Sequence, residues 1–189
     1  MKSPSGTEAM GEMSADTRVD SPLRGHLAVL ARYNLWATQR LFEHIDALPD
    51  ANYRRDAGLF FKSVHGTLNH LLVGEHRWFR RFVEGVSPQI QLNAEVEPDR
   101  VRLRRSLLEG AAAWGPFIAA CDADRLAGEL HYTTTRGVPM SLPFAATLAH
   151  VFNHGTHHRG QISAALTAMG CACPEIDLVW MLQAERSTE

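Results

Sequence analysis

No apolar run in this chain approaches the roughly 18 residues that a membrane-spanning helix needs. That excludes a helical membrane protein. Cysteine is scarce. The three present, Cys121, Cys171 and Cys173, are an odd set without finger-type metal spacing, so neither a disulfide scaffold nor a zinc finger is expected. Excess charge is missing too. Nineteen Lys and Arg stand against 21 Asp and Glu, a formal net charge of −2. Such a balance gives no field for nucleic acid or an anionic bilayer. The opening M-K-S-P-S-G-T-E-A-M-G-E-M-S-A-D has no apolar core of a secretion signal. Its small polar residues predict a disordered leader over 1–20, a single domain over 21–189, and a cytoplasmic location.

What the chain does have is long helical periodicity. Ser21-Pro22 opens a first helix that Pro49-Asp50 stops, with Leu27, Leu30, Leu41 and Ile45 on its apolar side. A second helix starts at Phe60 or Ser63 and runs to Glu84, ended by Gly85. A third opens at Pro98-Asp99 and reaches about Cys121. Residues 129–142, rich in Thr around Arg136-Gly137, predict a short hairpin. A fourth helix spans about 143–169 and ends at Gly170, and D-L-V-W-M-L-Q suggests a short helix in the tail. The expected class is therefore all-α: a four-helix bundle with a small β-hairpin before the last long helix.

Histidine is unusually concentrated. Of ten in the chain, four fall in H-V-F-N-H-G-T-H-H-R-G-Q, residues 150–161. With His154 at zero on a helical wheel, His150, His158 and Gln161 lie at about −40°, +40° and −20°, and His157 at about −60°. This polar stripe borders the arc of Phe144, Leu148, Val151, Ile162 and Leu166. Histidines at i and i+4 can share one ion, and the pairs 150/154, 154/158 and 154/157 are all candidates. One helix cannot complete a tetrahedral set, so another ligand must come from a neighbouring helix. On the second helix His70 borders the apolar face, whereas His65 and His76 lie opposite it. The best geometric set is His70, His154 and His158, with Glu75 a rival ligand; the competing reading is a buried hydrogen-bonded histidine network. His26, His44 and His131 are assigned to surface or structural roles.

L-A-H-V-F-N-H-G-T-H-H-R-G-Q-I, F-F-K-S-V-H-G-T-L-N-H-L-L-V-G-E-H-R-W-F and Y-N-L-W-A-T together resemble the motifs of the DinB-like family of metal-binding four-helix proteins, over roughly residues 25–170. The resemblance implies an up-down-down-up bundle, a three-histidine metal site on His70, His154 and His158, and homodimers. Glu75 departs from the family's frequent Asp. Histidine-only ligation suits Zn²⁺, Ni²⁺, Cu²⁺ or Fe²⁺, with zinc or nickel foremost at one divalent ion per chain. Relatives in the superfamily resemble thiol-dependent S-transferases, which implies a low-molecular-weight thiol cosubstrate. The alternatives are a metal-dependent hydrolase and a non-catalytic metal-binding stress module. The expected supporting residues are His150 and His157 as general base or ligand orienter, and Asn34, Trp36 and Arg159 toward cosubstrate. For Arg159 an ion pair with an acid of a neighbouring helix is the favoured role. Asn153 and Gln161 are further candidates to orient ligands. The partner is a small molecule, with neither nucleic acid nor membrane involved.

Overall fold

The computed structural model describes residues 21–187, so the expectation for residues 1–20 lies outside the described residues. Four long helices dominate: α1 (Pro22–Ile45), α3 (Val64–Glu84), α4 (Arg100–Ala119) and α6 (Phe144–Ala168). Short helices α2 (Asp50–Arg54) and α5 (Ala123–Ala127) and a hairpin of β1 (Glu129–Thr133) and β2 (Pro139–Pro143) fill the connections. Helix α7 (Leu178–Arg186) closes the described chain. Among the described residues no helix is long and apolar enough to cross a membrane.

Helix starts follow cap chemistry. Ser63 accepts a hydrogen bond from the Gly66 amide at the start of α3, and Asp99 accepts one from Arg102 at the start of α4. The second helix begins at Val64 rather than at Phe60 because Lys62 adopts φ 70°, which breaks the helical path. Gly85 ends α3 in the left-handed region at φ 68°, as an αL cap requires. In the hairpin Leu130 opposes Leu142 and Tyr132 opposes Met140, and Gly137 turns the loop at φ 77°.

The topology follows from which ends meet. Leu41 and Ile45 late in α1 cluster with Val64 and Leu68 early in α3, Leu103 and Leu107 early in α4, and Ile162 and Leu166 late in α6. At the opposite end Leu27 and Ala31 cluster with Phe82, Trp114, Ile118, Phe144 and Leu148. So α3 and α4 run parallel to each other and antiparallel to α1 and α6, which is the up-down-down-up order. The 15-residue stretch 85–99 is the crossover that parallel α3 and α4 require. Each of α1 and α3 packs on both α4 and α6.

Between the two apolar ends lies a polar belt. Buried Arg159 of α6 donates to Asn34 Oδ1 at 2.6 Å and to Thr156 Oγ1 at 3.2 Å. Asn34 Nδ2 donates to Glu75 Oε1 at 3.2 Å, and Trp114 Nε1 donates to Glu75 Oε2 at 2.6 Å. The chain Arg159–Asn34–Glu75–Trp114 thus ties all four long helices at one level. Gly155 makes room for it: a Cβ there would sit 2.8 Å from Asn34 Oδ1 and 2.9 Å from Arg159 Nη1.

Candidate metal centre

His70 projects from α3, and His154 and His158 from successive turns of α6. The antiparallel packing of these helices brings the three rings to one point. His154 Nε2 lies 3.1 Å from His70 Nε2 and 3.1 Å from His158 Nε2, and one ring nitrogen from each of the three falls within 4.8 Å of the others. Gly74 allows this approach, since a Cβ there would already stand 3.3 Å from His154 Cε1.

The outer nitrogens fix the tautomers. His70 Nδ1 is 2.8 Å from the Leu92 carbonyl, which can only accept, so Nδ1 carries the proton and Nε2 is a bare lone pair. His158 Nδ1 is likewise 2.8 Å from Gln161 Oε1. Two of the three converging Nε2 atoms are therefore acceptors, and His154 can bring at most one proton to the cluster. A divalent ion satisfies all three. Tetrahedral coordination at about 2.0–2.1 Å places nitrogens about 3.3 Å apart, close to the observed spacing. The residues fit one divalent ion.

Electrostatics keep the rings ready to coordinate. Burial, reinforced by the neighbouring histidines, depresses His154 to a pKa of about 3. Burial lowers His158 to about 4, and burial also lowers His70 despite its bond to Leu92. Neutral lone pairs are thus available at ordinary pH. In the metal-free protein the unfolded chain binds protons at His154 and His158 near 6.5, the folded chain only near 3 and 4. Stability therefore falls as pH drops through that interval. Thermal melts of chelated protein should show Tm declining from pH 6.5 toward 4. A His154→Ala/His158→Ala double variant should decline less, and an equal decline would refute the assignment of these two groups.

The cluster lies on one wall of a cavity of about 520 Å³, the size of a small-molecule site. The Phe61 ring stacks on His70 with centroids 3.8 Å apart and meets His158 edge-on, shielding the apolar side of the centre. Gly66 leaves room for the Phe61 backbone, because a Cβ there would lie 2.1 Å from the Phe61 carbonyl oxygen. Trp78, Tyr132 of the hairpin, and Arg77 and Arg81 of α3 complete the lining; among the described residues no Asp or Glu lines the cavity.

The structure places the remaining candidates differently. His150 and His157 both line the cavity, with His150 edge-on to Trp78 and the His157 ring 4.8 Å from that of His158. Gln161 bridges the two roles, accepting from His158 and reaching His157 at 3.2 Å. Asn153 is exposed and has no part in the cavity wall. Asn34, Trp36 and Arg159 do not line it. Asn34 and Arg159 belong to the belt, where the Arg159 guanidinium also stands 5.4 Å from the Tyr33 ring centroid. Among the described residues no direct ion pair holds Arg159; Asn34 stands between it and Glu75. Trp36 packs beside Tyr33 and Met181, against α7. Glu75 is bound to Asn34 and Trp114 and is not among the converging ligands. His65 bonds Tyr53 and Glu95 away from the histidine cluster.

Arg77, Arg81, Phe61 and the Leu92 carbonyl escaped sequence reasoning. The arginines did leave a signal: on the wheel of His70 they fall at about −20° and +20°, on the same stripe. Phe61 and Leu92 sit in connections, which carry no periodicity.

Comparison with known proteins bears on the family and the fold. The model of the DinB family matches residues 13–189. Protein DinB of Bacillus subtilis (strain 168) is 27% identical over 154 residues, covering 78% of this chain and 88% of that protein. YfiT from Bacillus subtilis, described as a probable metal-dependent hydrolase with an unusual four-helix bundle topology, superposes with a TM-score of 0.67 at 12% identity. The match covers 81% of this chain and 93% of YfiT. With its bundle order, its three converging histidines and a family match over nearly its whole length, the chain belongs to the DinB family.

Proposed function

We propose that this chain is a metal-dependent transferase that joins the sulfur of a low-molecular-weight thiol to an electrophilic carbon. The observation that carries the reading is the pocket itself. Three neutral imidazoles open onto a cavity of about 520 Å³ whose wall holds arginines and histidines but, among the described residues, no carboxylate. Three protein ligands leave a position free, and a divalent ion bound there supplies Lewis acidity that favours the thiolate over the thiol at neutral pH.

The chain's own groups do the rest. His150 and His157 line the cavity beside the centre and can accept the proton that the thiol releases. The sulfur lone pair forms the new S–C bond while the bond from that carbon to its leaving group breaks, the leaving group keeping the electron pair. Phe61 and Leu92 supply an apolar wall on the ligand side. Gln161 holds His158 in its coordinating tautomer.

A hydrolase is the second reading, favoured by the same two histidines as bases for water. The readings separate in one assay. Metal-loaded protein is offered cysteine and 1-chloro-2,4-dinitrobenzene, and in parallel p-nitrophenyl acetate without thiol. Conjugation above the spontaneous rate, abolished by chelation, is expected. Chelator-sensitive ester cleavage without conjugation would overturn the transferase in favour of the hydrolase.

A further inference from the structure

Arg77 and Arg81 are each 5% exposed, and each has a buried Nε with no hydrogen-bond partner. Buried charges in proteins are ordinarily paired, because desolvation of an unpaired ion costs several kcal/mol. Here the pairing is missing. The Arg77 side chain makes no hydrogen bond or ion pair among the described residues, and Arg81 makes one, from Nη2 to the Thr133 carbonyl at 3.0 Å. Neither is near a carboxylate in the cavity wall. Burial, reinforced by the charge of Arg77, holds Arg81 down to about 10, and burial lowers Arg77 as well.

The setting is built rather than accidental. The Arg81 guanidinium stands 4.5 Å from the Trp78 ring centroid and 4.5 Å from that of Tyr132. Stacking on both rings occupies its faces and leaves its N–H edge to meet a ligand. Arg77 and Arg81 follow His70 by seven and eleven residues on one stripe of α3, about 10 and 16 Å along the axis. Helical side chains lean toward the N-terminus, so both guanidiniums lean back toward the histidines.

From the two buried arginines that lack a carboxylate partner among the described residues and share a cavity with the three-histidine cluster, we propose that this end of the cavity is an oxyanion subsite. It receives a carboxylate or phosphate group of the small-molecule substrate whose reacting atom lies at the histidines. The subsite rests on the proposed function for its position, not for its existence. It makes the substrate an anionic molecule long enough to bridge α3 from Arg77 and Arg81 to His70. The remaining N–H donors of the two guanidiniums suit such a group by charge-assisted hydrogen bonds. Arg77 and Arg81 are positioning residues for the transfer.

The test titrates the full-length protein with inorganic phosphate and, separately, with succinate at fixed ionic strength. Calorimetry and tryptophan fluorescence both report, since Trp78 underlies Arg81. It is run on chelated and on metal-loaded protein, because an ion at the histidines could itself take phosphate. Saturable binding to the chelated protein is expected for at least one probe, and which probe binds tells phosphate from carboxylate. Arg77→Met and Arg81→Met should each weaken it roughly ten- to hundredfold, with metal content unchanged. Arg77→Lys, which keeps charge and stem, should weaken it less than Arg77→Met. Arg80→Gln removes a charge from the exposed face of the same helix, where Arg80 pairs with Glu84, and should leave binding intact. Absence of saturable binding to the wild-type chelated protein, or an equal loss in Arg80→Gln, would overturn the subsite. If anion binding persists in a protein that takes up no metal, the subsite stands and the metal-dependent reading falls. Metal uptake without anion binding does the reverse.

Discussion

His154→Ala should abolish tight metal binding and leave the helices formed. Of the three converging atoms, His154 Nε2 is the one within 3.1 Å of both others, so its removal leaves two ligands on different helices with no bridge between them. Loss of a group that merely orients a ligand already weakens affinity 10- to 100-fold; loss of a ligand should exceed about a hundredfold. The fold should survive because His154 is only partly buried and belongs to neither apolar cluster. Alanine is also the better helix former. Elemental analysis of untagged protein, wild type beside the alanine variants of His70, His154 and His158, reads the result, with circular dichroism for helix content. About one metal per chain in wild type and none in the variants is expected. Unchanged stoichiometry in His154→Ala would refute the ligand set. No metal in wild type after reloading with zinc and nickel would make the histidines a hydrogen-bonded network.

The second large effect is on stability. Asn34→Ala should cost about 3–5 kcal/mol, since it removes two buried hydrogen bonds to charged groups, each of about 1.5–3 kcal/mol. Asn34 is 2% exposed and links Arg159 to Glu75, accepting from one and donating to the other. Without it a guanidinium and a carboxyl group lose their shared partner inside the bundle, and the carboxyl, whose pKa burial already raises, keeps only Trp114. Denaturant unfolding measures the loss, and a change below about 1 kcal/mol, an ordinary hydrogen bond, would refute the network's role. Metal stoichiometry should not change in this variant, which separates the belt from the centre.

The four long helices were legible because each repeats apolar residues over five or more turns. The histidine set was legible for the same reason: fixed helical angles turn spacing into direction. Helices α2 and α5, at five residues each, are too short to show a period. Asn34 and Arg159 were legible as special residues but not in their role. Polar side chains on the inner face of a bundle can meet a substrate or one another, and only the packing of α1 against α6 decides which. Glu75 illustrates the limit of a wheel. Its angle placed it beside the histidines, yet α4 presents Trp114 to it and draws it inward. Arg77 and Arg81 in R-W-F-R-R carried no assignment from the sequence, because the hairpin's Tyr132, which stacks on Arg81, is 51 residues further along the chain.

The polar belt separates two kinds of evolutionary freedom. It locks the slide of the helices, because a shift of one turn would drive Arg159 into apolar neighbours and close the gap that Gly155 leaves. The spacing of the histidines is thereby inherited with the frame. The cavity's remaining walls come largely from the connections: Phe60 and Phe61 before α3, Leu92 after it, and Tyr132, Thr134 and Thr135 from the hairpin. These segments can lengthen, shorten or change side chains without altering helix register. One frame can thus serve a succession of substrates by exchanging loops, as interchangeable jaws are fitted to a single vice.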